Sequence, residues 1–408
     1  MPYTNSTNIP TQQNQTQSTK PIRILHVVGG MDRGGAETWL MHILRNIDRD
    51  RFQMDFLAPA ALHYAYTDEL QALGSQIFAC GDIEPARPWL YAANFKKILQ
   101  QRDPYDIIHV HVHLFSGYAI YLAKQLGIKV RIVHSHIDTS SVESQEKWQR
   151  RCYNSLMKWS IGRNATGGLA VSRVAAANLF GSAWERDARW RLLYCGIDLA
   201  PFQDPIDSAD VRAEFGVPMD TFVVGHVGRF EAQKNHHFLL EIAAEIAKRE
   251  PNMRLLLMGV GSLRPEIERK TIQMGLADLV IFGSTRSDIP RLMRGIMDVF
   301  LFPSLYEGLC LVAMESQAAG LPGIFSDTIA AEADIVTPLV RRVSLGKSAS
   351  DWAEIVLATR TKEIPSPESA LAIVSQSPFN IEVSVKELTA FYESVVDLYL
   401  KKTASPNR

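Results

Sequence analysis

DVFLFPSLYEGLCLVAMESQAA, residues 298 to 319, reads as a strand, a loop and a helix in succession. DVFLFP is a short apolar run closed by a proline, SLYEG has turn character, and LCLVAMESQAA carries helical period. A strand that runs straight into a helix is half of a crossover unit, and repeated units of this kind build a parallel sheet covered by helices on both faces. Such sheets bind ligands outside the carboxyl ends of their strands. The loop after this strand holds Glu307, and Glu315 follows eight positions later in a stretch that is otherwise apolar, small or glycine.

The same pattern recurs on both sides of this unit. IRILHVV from Ile22, MDFLAP from Met54, DIIHVHV from Asp106, VRIVHS from Val130 and GLAV from Gly168 alternate with helical segments such as AETWLMHILRNI from Ala36. A second series, VPMDTFVVGHVGRF, MRLLLMG, LVIFG, DVFLFP and LPGIFSD, lies between residues 217 and 327. CGIDLAPFQDPIDSADVRAEFG separates the two and, rich in Asp, Pro and Gly, reads as a linker. The expectation is an α/β protein of two Rossmann-like, doubly wound domains facing a central cleft. The first spans residues 21–200 and the second 201–383, after a disordered tail at residues 1–20 composed of Thr, Gln, Asn and Ser. The amphipathic segment at about 384–402 is a candidate C-terminal helix.

Composition narrows the class. With 408 residues and 46% hydrophobic content the chain can bury more than one core. A formal net charge of −1 with mixed signs provides no global field for nucleic acid, so anion binding must be local. Cys80, Cys152, Cys195 and Cys310 form no CxxC pair, which suits a reducing cytoplasm better than a disulfide framework or a thiolate zinc site. The N-terminal segment lacks the apolar run of a signal peptide, and no stretch approaches the roughly 20 apolar residues of a membrane span.

Candidate ligand groups cluster at predicted strand ends. RFEAQKN places Arg229 and Lys234 between a strand and a helix, where a planar fork and a point charge can share one anion such as a diphosphate. Val260, Gly261 and Ser262 form a turn where glycine permits close backbone approach, and Gly283 and Arg286 follow the next strand. A helix beginning beside Gly308 would offer free N–H groups around Leu309 and Cys310 to a phosphate. Glu307 and Glu315, about two helical turns apart, would then accept from the hydroxyls of two polyols on either side of that diphosphate. The alternative is a capping acid at Glu307 and an unrelated surface acid at Glu315. In the first domain Gly34 and Gly35 precede a helix and offer a second phosphate turn, without the GxGxxG spacing of a dinucleotide site, while Glu37 favours that helix's first turn.

Histidines are the other signal. His109, His111 and His113 alternate as if on one strand face, and His134 and His136 repeat the theme. Imidazoles alone can hold zinc, but no acidic or cysteine ligand is spaced to complete a site, so no metal is expected. Asp48-Arg49-Asp50 forms a DxD that ends a helix, away from the donor elements, and is not read as a metal motif.

These residues in this order resemble the family 4 glycosyltransferases, retaining enzymes of the GT-B fold, and more narrowly the exopolysaccharide and capsule members of the EpsF type. VVGGMDRGGAETWL, DIIHVH, VRIVHSH, LLYCGID, VGHVGRFEAQKNH, GLADLVIFGSTRSDIP and SLYEGL…ESQAAGLP carry the likeness, which runs from Ile22 to about residue 400. The resemblance implies that Arg229 and Lys234 bind the donor diphosphate, Glu307 and His136 the transferred sugar, and Glu315 the ribose. It also implies that Gly34, Gly35, Gly261, Arg286, Gly308, Leu309 and Cys310 line the donor site and that the C-terminal helix crosses back to the first domain. The function implied is transfer of a sugar from a nucleotide-sugar, a UDP-sugar foremost, to a glycan or lipid-linked acceptor, with no metal and no cofactor. The alternatives are a nucleotide-sugar epimerase or hydrolase on the same fold, and a sugar-nucleotide-binding protein without turnover. Cys195, Cys310 and Ser316 depart from frequent family residues without removing a charged ligand. Residues 145–163, with Trp148, Trp159 and several basic residues, read either as a face lying on an anionic membrane at the inner surface or as an ordinary domain helix with snorkelling side chains.

Overall fold

The structure, a computed structural model, describes residues 20–59, 63–81, 87–143 and 146–401. The tail expected at residues 1–20 falls outside the described residues except for Lys20, as do Gln145 and Lys402 at the margins of two expected segments.

Two parallel sheets organise the chain. The first comprises β1 (Ile22–Val27), β2 (Phe52–Ala58), β3 (Ile77–Ala79), β4 (Ile107–Val110), β5 (Val130–Ser135), β6 (Gly167–Ala170) and β7 (Trp190–Leu192), in the order β3-β2-β1-β4-β5-β6-β7. The second comprises β8 (Phe222–Val227), β9 (Met253–Met258), β10 (Val280–Gly283), β11 (Val299–Phe302), β12 (Gly323–Ser326) and β13 (Val340–Val343), in the order β10-β9-β8-β11-β12-β13. Strand order therefore reverses between β1 and β4 in one sheet and between β8 and β11 in the other. Those reversals open the crevices where doubly wound sheets bind ligands. Helices cover both faces, which explains strands apolar on both sides, such as Leu255, Leu256 and Leu257 in β9, all fully buried.

Some elements differ from the sequence expectation. β3, β7 and β13 are edge strands of three or four residues, too short to leave a periodic signal. β4 ends at Val110, so His113 lies in a 3-10 turn with φ 45° rather than on the strand face with His109. The presumed linker is partly ordered structure. Its helix Ser208–Glu214 packs on the second domain, with Val211 buried and the Arg212 guanidinium 3.0 Å from Asp298.

The helix Ile381–Val396 returns to the first domain. Ser384 links the two regions, accepting from the Trp39 indole at 3.0 Å and donating to the Tyr194 carbonyl at 3.0 Å. Tyr392, fully buried, meets the His109 ring nitrogen at 2.8 Å, and Phe391 lies over the backbone of Gly167.

Candidate functional site

The loops that follow β8 and β11 are tied to each other before any ligand arrives. Leu305 N–H donates to the Gln233 carbonyl at 2.8 Å, and the Gln233 side chain donates to the Tyr306 carbonyl at 2.8 Å. Asn235, in the left-handed region at φ 57°, donates to the Pro303 carbonyl at 3.2 Å. Asn tolerates that conformation better than most residues. This stitching sets the Lys234 ammonium 2.6 Å from the Glu307 carboxylate, with both side chains largely buried. Burial alone would lower the ammonium's pKa, but the Glu307 charge offsets it and holds Lys234 above its ordinary value. The same ammonium lies 4.7 Å from the centre of the Phe302 ring.

Arg229 and Glu315 are the unpaired charges of this region. Arg229 is exposed at the end of the β8 turn, and its side chain makes no hydrogen bond or ion pair among the described residues. Glu315 sits half-buried on the helix Leu311–Ala318, and burial pushes its carboxyl up to about 7. Burial likewise raises Glu37, opposed by a backbone N–H of its own helix start and by the charge of Arg229 from the other domain.

Gly261 is held where a side chain would not fit. A Cβ there would lie 2.5 Å from the Phe230 carbonyl oxygen, and Phe230 N–H donates to the Val260 carbonyl at 2.9 Å. Glu231 caps the same turn by accepting from the Ser262 N–H and hydroxyl at 3.1 and 3.0 Å. Gly308 is one point where the two domains touch. A Cβ on it would lie 2.0 Å from the carbonyl oxygen of His136, so the loop after β11 presses against the end of β5 across the cleft.

Three expectations need revision. The helix after β11 starts at Leu311 with Cys310 as its extended N-cap, so the free N–H groups belong to Leu311 and Val312, while Leu309 and Cys310 are buried in the loop. Burial, followed by the charge of Glu307, pushes the Cys310 thiol up to about 12, so it is present as the thiol at neutral pH. Arg286 is engaged elsewhere: its guanidinium meets Asp288 at 2.7 Å and Glu214 at 2.5 Å, in a network shared with Arg291. Gly34 does cap the helix Gly35–Asn46, but a Cβ on it would lie 2.3 Å from the Glu37 carboxylate, which folds back over the helix start. Asp48 and Asp50 lie in the turn before β2, at the opposite edge of the sheet from the cleft.

The first sheet also gathers a histidine cluster in which His26 takes the place expected of His113. His26 of β1, His109, His111, His134 and His136 stack on one face beneath Trp39. His26 Nδ1 lies 2.9 Å from His111 Nε2, and His111 Nδ1 lies 2.8 Å from His136 Nε2. Burial drives the His26 and His136 rings down to about 3, and His111 and His134 well below their ordinary value, so the cluster is neutral. His26 carries no separate signal in the sequence, where a single histidine inside IRILHVV reads as core. His113 instead bonds Asn178 at 3.1 Å.

Comparison with known proteins agrees with this geometry. Residues 33–201 match the family model described as Glycosyltransferase Family 4, and residues 207–360 match Glycosyl transferases group 1. A Bacillus subtilis protein named as the glycosyltransferase EpsF is 36% identical over 371 residues, covering 91% of this chain and 96% of that protein. The capsular polysaccharide biosynthesis glycosyltransferase CapH of Staphylococcus aureus is 25% identical, covering 91% of this chain and 99% of CapH. Among solved structures, Anabaena HepE in complex with UDP and glucose superposes with a TM-score of 0.76 at 21% identity, covering 91% of this chain and all of HepE. WaaG, a glycosyltransferase involved in lipopolysaccharide biosynthesis, superposes with a TM-score of 0.66 at 15% identity over 92% of this chain and 99% of WaaG. Two switch-point crevices facing each other, a Lys–Glu pair and an unpaired Arg between them, and a close relative along nearly the whole chain lead to one assignment: the protein belongs to the family 4 glycosyltransferases and has the GT-B fold.

Proposed function

We propose that the chain transfers a sugar, with retention of anomeric configuration, from a UDP-sugar to a hydroxyl of a glycan or lipid-linked acceptor during exopolysaccharide or capsule assembly. The observation that carries the donor site is the Lys234–Glu307 pair at the β8–β11 crevice, flanked by Arg229 and by the helix start at Leu311. A donor diphosphate entering there takes the Lys234 ammonium from Glu307, gains the Arg229 fork, and meets the N–H groups of Leu311 and Val312. Glu307, released from its partner, turns to the hydroxyls of the sugar, and Glu315 accepts from the ribose. His136 meets the sugar from the other domain, a position supported by its contact with Gly308. As the glycosidic bond to phosphate breaks, negative charge grows on the leaving diphosphate. Two cations and a helix start, in place around the diphosphate once the donor is bound, lower the barrier. The acceptor hydroxyl passes its proton to a leaving phosphate oxygen on the same face of the sugar. Arg286 is left out of this site because Asp288 and Glu214 hold it.

The acceptor side is proposed to rest on a membrane surface. Among the described residues no helix is long and apolar enough to cross a membrane. On the helix Trp148–Asn164, however, Trp148, Leu156 and Trp159 are all more than half exposed. They lie on one stripe with exposed Arg163, and the helix contains no acidic residue, a pattern suited to anionic headgroups. Incubating the purified chain with a panel of UDP-sugars and lipid-linked acceptor tests both parts. Expected are UDP release dependent on acceptor, an axially retained anomer by NMR, and sedimentation with anionic but not zwitterionic vesicles that is lost in Trp148→Ser/Trp159→Ser. UDP release at the same rate without acceptor would instead identify a hydrolase.

A further inference from the structure

Of the first sheet's histidines, transfer as proposed calls on His136 alone, yet its ring is one end of a chain of three imidazoles. His136 Nε2 lies 2.8 Å from His111 Nδ1, and His111 Nε2 lies 2.9 Å from His26 Nδ1. The backbone sets this chain. His111 N–H donates to the Val27 carbonyl at 2.8 Å, which holds the residue just past β4 beside His26 of β1, and His136 follows directly on β5. Burial keeps all three rings neutral, each with one N–H donor and one lone pair. Two hydrogen bonds in series through His111 must then run in the same direction. Either the donors point from His26 towards His136, whose Nδ1 then carries the proton at the cleft, or they point the other way and His136 presents a lone pair.

The buried end of the chain decides between them. His26 is fully buried, and its Nε2 has no hydrogen-bond partner. If His111 donated to His26, that Nε2 would carry the proton, and an N–H would lie inside the sheet without an acceptor. Buried N–H groups left without an acceptor are rarer in proteins than acceptors left under-used. If His26 donates instead, only a lone pair is orphaned there. The cleft end imposes no such cost in either direction, because His136 is half-buried and its Nδ1 has no partner among the described residues. We infer that His111, directed by His26, is a positioning residue that holds His136 as its Nδ1–H tautomer, so that the cleft edge of His136 donates to a hydroxyl oxygen of the transferred sugar. This rests on the sugar contact proposed for His136. It gives the two groups that meet the sugar opposite characters, since Glu307 accepts from one hydroxyl while His136 donates to another. His134 takes no part in the chain, for neither of its nitrogens has a hydrogen-bond partner.

Long-range ¹H–¹⁵N correlation spectra of the ligand-free full-length protein, labelled with ¹⁵N-histidine at neutral pH, test this, because a ring nitrogen bearing a proton resonates far from one bearing a lone pair. Signals are assigned by their loss in His136→Gln and in His111→Ala. The expected result is a proton on Nδ1 of both His136 and His111; a proton on His136 Nε2 would overturn the inference. In His111→Ala, solvent reaches His136 Nε2 and can donate or accept, so His136 should become a mixture of both tautomers. An unmixed Nδ1–H signal in that variant would remove the positioning role of His111. With a UDP-sugar donor the same variant should lose about three- to tenfold in kcat/KM, while its affinity for UDP alone stays unchanged because the diphosphate is held by the other domain. Should His111→Ala not fold, the wild-type spectrum still decides the direction of the chain. Unchanged transfer by His136→Gln, with the Nδ1–H signal present in wild type, would instead refute the sugar contact on which the inference rests.

Discussion

Glu315 is the side chain whose chemistry is most sensitive to its surroundings. Burial raises its carboxyl from 4.5 to about 7. The folded empty protein therefore keeps a proton there that the unfolded chain releases near pH 4.5, so stability falls as pH rises from about 4.5 towards 7 and the loss is complete above it. Glu315→Gln removes that dependence. Thermal melts should show the variant equal to wild type near pH 5 and more stable at pH 8 by about 1–2 kcal/mol, a figure reduced for the side chain's partial exposure. Under the proposed function, in which ribose hydroxyls donate to the carboxylate, nucleotide binding carries the opposite sign. Calorimetric affinity for UDP should rise more steeply between about pH 5.5 and 8 in wild type than in the variant, where only the ligand's own phosphate titrates; parallel curves would remove Glu315 from the ribose site. The place of this residue, on the helix that follows the β11 loop, was legible in the sequence because the apolar strand–loop–helix pattern sets it there. The pairing of Lys234 with Glu307 was not, since 73 positions separate them and only the two hydrogen-bonded loops bring them together.

Among elements, the loops after β8 and β11 hold the proposed donor site, and Gly308 shows how closely the second of them is fitted against the first domain. A methyl group there meets backbone rather than a movable side chain, so Gly308→Ala forces the loop away from His136. Such overpacking costs about 1–3 kcal/mol in stability. In a donor-dependent assay kcat/KM should fall at least tenfold, with the larger part in kcat because Lys234 and Glu307 move with the loop. An unaltered kcat would show that the contact does not position the donor. Element identities followed from apolar period wherever strands were buried on both faces. Edges and ends escaped it: β3, β7 and β13 are too short, and the start of the helix at Leu311 depends on how the loop before it hydrogen bonds.

At the scale of the whole molecule, the two domains are joined by the helix Ile381–Val396 as well as by the segment between the sheets. Tyr392 is its deepest anchor, and Tyr392→Phe leaves the buried His109 Nδ1 without its partner. The expected cost is about 1–3 kcal/mol. A denaturant midpoint equal to wild type would show that the hydroxyl adds nothing. The tandem arrangement was legible from the repeated strand–helix series, and the histidine cluster in part: His109, His111, His134 and His136 stand out in the sequence, whereas His26 joins them only because β1 and β4 are neighbours in the folded sheet. The central claim is that the cleft between these domains holds a nucleotide diphosphate through Lys234 and Arg229. Isothermal titration of UDP, GDP and ADP into wild type, Lys234→Ala and Arg229→Ala tests it most directly. UDP should bind the wild type, and affinity should drop at least tenfold in each variant while the fold is retained; equal affinity in all three proteins would mean that neither cation holds the diphosphate.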